Sequence, residues 1–184
     1  MKLLDAMILV RAEAVKSIKS VAENNMKFFS ISFEKSVGAI IFKEENGIKK
    51  FLLLKYRSGQ WDFLKGHSEK GENEKETLSR EVFEETKLTE IEVIDGFRIS
   101  NRFFYTAKGS EYEERIRKGF GTSIFKRVVY YIAQTKKADV VLNFENKAYA
   151  WVDFDRAIRM IGNKDSKRMF KKAYYFLDKR GLPR

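Results

Sequence analysis

Gly66 and Leu88 bracket 23 residues in which acidic side chains recur at fixed intervals. The run opens as Gly66-His-Ser-Glu-Lys-Gly-Glu72 and, seven residues later, continues as Arg80-Glu81-Val82-Phe83-Glu84-Glu85-Thr86-Lys87-Leu88. Helical periodicity puts residues three and four apart on one face, so Glu81, Glu84 and Glu85 are expected to converge there. Leu78 and Val82 lie beside Glu81 and Glu85. The segment from about Glu74 to Lys87 therefore reads as a helix that packs one edge inward and turns its acids to a cleft. Three carboxylates that close repel one another unless something positive sits among them. A hard divalent ion with oxygen ligands is the usual solution, and magnesium typically joins such carboxylates to a phosphate. Metal-assisted chemistry on a phosphate compound is the expectation.

The segment resembles the Nudix box: Gly, five residues, Glu, seven residues, then Arg-Glu-apolar-any-Glu-Glu-any-Gly-apolar. Eight of the nine specified positions match, and Lys87 stands where the second Gly belongs. That departure bears on how the helix ends, because Gly normally supplies a left-handed residue there. It leaves the acids untouched.

With 184 residues, 43% hydrophobic and 14% aromatic, the chain suits one packed domain. It has no cysteine, which excludes disulfides and zinc-thiolate sites, and its single histidine, His67, excludes a multi-histidine metal site. No apolar run approaches the roughly 20 residues that span a bilayer. The stretch from Met1 to Arg11 superficially resembles a signal peptide, but Asp5 interrupts it and Arg11 closes it early. An amphipathic helix and a cytoplasmic location, with no membrane partner, are the expectations. The formal charge is +11, and from Arg156 to Arg184 ten Lys or Arg stand against Asp165 and Asp178. Such a surface either attracts a polyanion such as RNA or is a solvated helix face.

Apolar spacing predicts a helix from Leu4 to about Val21, then strands at Phe29–Phe33, Val37–Phe42 and Phe51–Tyr56. Asn46-Gly47 marks a hairpin between the last two. Ile91–Phe97, Phe103–Tyr105, Phe125–Ala133 and Tyr149–Val152 read as extended, and Ala107–Gly121 as a charged loop. Short and long helices are expected near Asp155–Met160 and Asp165–Asp178. The longer one presents Met169, Phe170, Ala173, Phe176 and Leu177 to a core. Strands around a functional helix with helices at both ends suggest an α+β layering. The resemblance sharpens this to a Nudix-type α/β/α sandwich around a mixed β-sheet. It puts the core of that fold at about 36–157; length, apolar spacing and charge add the expectation of a single domain over residues 1–184, with a helical extension at 1–27 and a basic helix at 164–180.

The resemblance also implies site roles. Glu81 and Glu85 are the expected principal ligands of Mg2+ or Mn2+, with the Gly66 carbonyl, Glu84 and the distal Glu145 completing the metal set. Glu145 is otherwise a loop acid. Glu84 either binds metal or acts as general base, and Glu72 with Arg80 forms a supporting pair. Gln60-Trp61-Asp62-Phe63-Leu64-Lys65-Gly66-His67 resembles the entry to the box in bis(5′-nucleosyl)-tetraphosphatases, with Leu64 replacing a frequent Pro. On that resemblance Lys65, His67 and Tyr105 contact substrate. His67 alternatively caps its loop, and Tyr105 alternatively fills core. The implied reaction is asymmetric hydrolysis of diadenosine tetraphosphate to ATP and AMP. The alternatives are another nucleotide pyrophosphatase activity, removal of pyrophosphate from the 5′ end of RNA, or an inactive nucleic-acid-binding module.

Overall fold

The computed structural model describes Glu13, residues 15–17 and residues 31–180. Of the helix expected over Leu4–Val21, only Glu13 and residues 15–17 are described, and they are helical; the remainder lies outside the described residues. The chain divides into two compact units, a larger one of residues 34–102 and 127–184 and a smaller one of residues 1–33 and 103–126. No helix among the described residues is long and apolar enough to cross a membrane.

The larger unit is organised by a hairpin. Strands β1 (Ile31–Glu45) and β2 (Ile48–Tyr56) pair antiparallel, with Phe42 opposite Phe51 and Glu45 opposite Ile48. Asn46 and Gly47 both take positive φ, 52° and 76°, as the tight turn between two right-twisted strands demands. The separate strands expected at Phe29–Phe33 and Val37–Phe42 are one continuous strand from Ile31, because no Gly or Pro between Phe33 and Val37 interrupts it. Phe29 lies outside the described residues.

Two short strands follow. β3 (Trp61–Asp62) pairs with β2, and β4 (Leu64–His67) pairs with β1, setting Val37 opposite Gly66. Then come helix α1 (Glu74–Thr86), β5 (Glu92–Val93), β6 (Ile99–Thr106), helix α2 (Gly109–Lys118), β7 (Ser123–Gln134), β8 (Asn146–Val152), α3 (Phe154–Met160) and α4 (Lys164–Lys179). The sheet order is β3-β2-β1-β7-β5, with β4 on β1, β6 on β7 and β8 on β2. β1 and β7 advance in the same direction. Gly38 lies against the Tyr130 ring, and the Phe42 carbonyl accepts from the Thr135 amide at 2.9 Å. The sheet is therefore mixed.

Alternation along β1 and β2 divides the core in two. Ile40, Phe42, Phe51 and Leu53 face a cluster closed by α3 and α4 through Ala157, Met169, Phe170, Ala173 and Leu177. Ala39, Ile41, Leu52 and Leu54 face the other cluster, closed by Leu78 and Val82 of α1. Helices on both faces of a mixed sheet give the α/β/α layering. Each fully buried Leu or Phe contributes about 1.5–3 kcal/mol, which outweighs the helix propensity of any single residue. Packing therefore holds α4 in place.

In the smaller unit, Gly109–Lys118 is a helix rather than the expected loop. It buries no residue, so no apolar stripe announces it. Charge pairs run along it instead: Lys118 meets Glu114 at 2.6 Å and Arg115 lies 3.9 Å from Glu111, both at i, i+4. Gly119 closes it at φ 72°.

Candidate active site

Helix α1 is fixed at its start by a capping box: the Asn73 side chain accepts from the amides of Lys75 and Glu76, and Glu76 accepts from the Asn73 amide. Glu74 in the first turn is gripped by Arg98 at 2.7 and 2.8 Å, by Lys35 at 2.8 Å and by the Tyr131 hydroxyl. The Arg98 guanidinium, chiefly, holds the Glu74 carboxyl well below the usual range. At the other end the helix stops at Thr86. Lys87 itself adopts the left-handed conformation, φ 56° and ψ 16°, and donates its amide to the Phe83 carbonyl. The lysine thus makes the turn that Gly normally makes.

The inner face of α1 is where expectation and structure part. Glu81 and Glu85 do not look out into a cleft; they are 8% and 2% exposed, on the same inward side as Leu78 and Val82. Glu84 does not join them. Adjacent residues stand about 100° apart around a helix, so with Glu85 turned in, Glu84 lies at the exposed rim, 3.2 Å from Arg80. Among the described residues no three acidic or histidine side chains converge at metal-binding distances.

Arg80 organises the acids. Its Nε and Nη2 grip Glu72 at 2.6 and 2.9 Å, its Nη1 reaches Glu81 at 2.9 Å, and Nη2 also donates to the His67 carbonyl at 2.7 Å. That fork, chiefly, pulls the Glu72 carboxyl down to about 2. Thr77 adds a hydroxyl donor to Glu72 at 2.9 Å. Burial acts the other way on the inner pair: it raises the Glu81 carboxyl and pushes that of Glu85 up to about 7. Glu85 accepts from the Lys65 amide at 3.3 Å and from Asn146 Nδ2 at 2.8 Å.

Gly66 on β4 faces Glu81 so closely that a Cβ there would stand 1.8 Å from its carboxyl carbon. Only glycine fits. The donor set suits a hard divalent cation: two buried carboxylates whose ionisation burial opposes, a backbone segment pressed against one of them, and oxygen donors throughout.

Beside this pair opens a cleft of about 470 Å³ lined by Tyr56, Arg57, Asp62, Lys65, Phe144 and Glu145, among others. The Lys65 ammonium lies over the Tyr56 ring at 4.4 Å and 3.3 Å from its hydroxyl. Glu145 is exposed at the rim, immediately before β8. His67 is exposed and paired with Glu34 at 2.9 Å. Tyr105 belongs to the smaller unit, where it is half-buried and donates to Glu111 at 2.9 Å. The larger unit thus brings together Glu72, Arg80, Glu81 and Glu85 with Gly66, and puts Lys65 and Glu145 on one cleft. Sequence reasoning passed over Asn146 and Arg57. Their partners lie 61 and 87 residues away, and nothing local marks them.

Comparison with known proteins identifies the family. The NUDIX domain model matches residues 32–173. The asymmetrical bis(5′-nucleosyl)-tetraphosphatase of Mus musculus is 30% identical over 155 residues, covering 78% of this chain and 95% of that protein. The Caenorhabditis elegans protein of the same name is 27% identical over 146 residues, covering 78% and 96%. A crystal structure of a C. elegans Ap4A hydrolase binary complex superposes with a TM-score of 0.64 at 26% identity, covering 79% of this chain and 98% of that one. The chain belongs to the Nudix family of hydrolases.

Proposed function

We propose that the chain hydrolyses nucleoside polyphosphates with a divalent cation, and that its substrate is diadenosine tetraphosphate, cleaved asymmetrically to ATP and AMP. Water adds to one terminal phosphorus of the bridge and the phosphoanhydride P–O bond breaks, leaving a new terminal phosphate on each product; above the second phosphate pKa of about 6 each of these termini releases a proton. The observation that carries the chemistry is the buried Glu81–Glu85 pair, with the Gly66 backbone against it and ionisation opposed by burial. The substrate rests on the likeness to tetraphosphatases over most of the chain.

On this reading Glu81, Glu85, Gly66 and Glu145 hold Mg2+ or Mn2+. The bound ion supplies Lewis acidity and lowers the pKa of bound water. Arg80 keeps Glu72 ionised and orients both Glu72 and Glu81. Glu84, half-exposed at the rim, is the family acid with room to take a proton from water. Lys65 offers a point charge to a phosphate, and His67 and Tyr105 contact the nucleotide.

The test is a substrate panel with magnesium, its products resolved by chromatography: diadenosine tetraphosphate, ATP, ADP-ribose and triphosphorylated RNA. RNA is included because of the basic surface of α4. ATP and AMP in equal amounts are expected. Two molecules of ADP, or a strong preference for RNA, would overturn the substrate assignment.

A further inference from the structure

The turn at residues 143–146 carries Glu145 and is pinned from both sides. Asn146 is buried, 8% exposed, and its Nδ2 donates to Glu85 Oε2 at 2.8 Å. Because the other Glu85 oxygen accepts from the Lys65 amide, both ends of this carboxylate are fixed and its plane cannot rotate freely. The same Nδ2 donates to Asn143 Oδ1 at 3.1 Å, and that oxygen also accepts from the Glu145 amide at 3.1 Å. One amide network therefore joins Glu85 on α1 to the backbone of Glu145.

Asn146 Oδ1 is buried and has no partner among the described residues. Turning the amide over would set that oxygen against two acceptor oxygens, so the donor end has to face Glu85. Such a buried acceptor is ordinarily met by water or ligand. Arg57, which lines the same cleft, donates its Nε to the Phe144 carbonyl at 2.7 Å, and its guanidinium lies 5.8 Å from the Phe144 ring centre.

We propose that residues 143–146 form a positioning clasp, in which Asn146 orients Glu85 and Arg57 fixes the turn that presents Glu145. The proposal rests on reading Glu81, Glu85 and Glu145 as cation ligands. Neither Asn146 nor Arg57 is itself a ligand.

Manganese binding to the full chain, measured by isothermal titration without substrate, tests it. Asn146→Ala is expected to weaken Mn2+ by roughly ten- to a hundredfold, the usual effect of removing a partner behind a ligand. Its metal-free melting temperature guards against simple misfolding. Arg57→Ala, at an exposed position, supplies a second route. Its loss of Mn2+ affinity is expected to disappear in a Glu145→Gln background, because a residue acting through another is not additive with it. Unchanged affinity in Asn146→Ala, or additive losses for Arg57→Ala and Glu145→Gln, would overturn the clasp. A protein that binds Mn2+ yet turns over no dinucleotide fails the proposed function alone, and the affinity comparison still decides the clasp.

Discussion

Glu85 combines near-complete burial with a carboxyl pushed up to about 7 from an ordinary 4.5, and the consequence for stability has a definite sign. Below about 4.5 both folded and unfolded chains hold the proton, and the group costs nothing. As pH rises the unfolded chain ionises first, so native stability falls across the interval from about 4.5 to about 7. Above that the penalty is constant, on the order of 3 kcal/mol. Metal-free protein should accordingly lose melting temperature over this interval, and Glu85→Gln should flatten the slope whatever its effect at any single pH. The same change should lower hydrolysis by two orders of magnitude or more and abolish thermal stabilisation by Mn2+. An unaltered slope in calorimetry would remove Glu85 from the role. Tyr105→Ala should raise KM with little change in kcat, and Tyr105→Phe should be nearly silent if the ring makes the contact; steady-state kinetics separates the two. At this scale the box residues were legible because their spacing is local. Asn146 and Arg57 were not, because tertiary folding alone brings their partners near.

Elements with strong local codes were read from sequence close to where they form. Asn46-Gly47 forced the hairpin, and the α1 periodicity placed that helix within a residue of its observed end. Others had no local code. β3 and β5 are two residues long and exist through their pairing with β2 and β7, while α2 has charge pairs where a helix normally shows an apolar stripe. The ends of α1 make the energetics testable. Removing the Asn73 cap by Asn73→Ala should cost about 1 kcal/mol, read as a shifted urea midpoint with unchanged slope. Lys87 is the opposite case. A non-glycine residue in the left-handed region costs roughly 1 kcal/mol, partly offset by its ammonium lying 4.6 Å from the Phe83 ring centre, worth about 0.5 kcal/mol at an exposed site. Lys87→Gly should therefore stabilise by about 0.5 kcal/mol and leave turnover unchanged.

For the molecule as a whole, sequence carried the layering but not the strand order, since alternation tells which residues face a core and not which strand lies beside which. The last helix illustrates how far that takes the argument. Its basic residues drew attention to a polyanion surface, yet its other face is structural: Phe170 is fully buried and meets Phe51 edge-on at 4.8 Å, Phe63 at 5.2 Å and Phe154 at 5.3 Å. Phe51 belongs to the central hairpin and Phe63 lies between β3 and β4, three residues before Gly66. Phe170 is thus packed against the scaffold that carries the site. Phe170→Ala should cost about 3–5 kcal/mol, a large share of the roughly 5–15 kcal/mol that holds a folded chain together. The expected result is a melting temperature lower by about 6–20 °C. Metal affinity should stay near normal well below the transition and disappear with it. If affinity drops while the chain is still folded, α4 acts on the site directly; if the melting temperature barely moves, the aromatic cluster is not the keystone that its contacts imply.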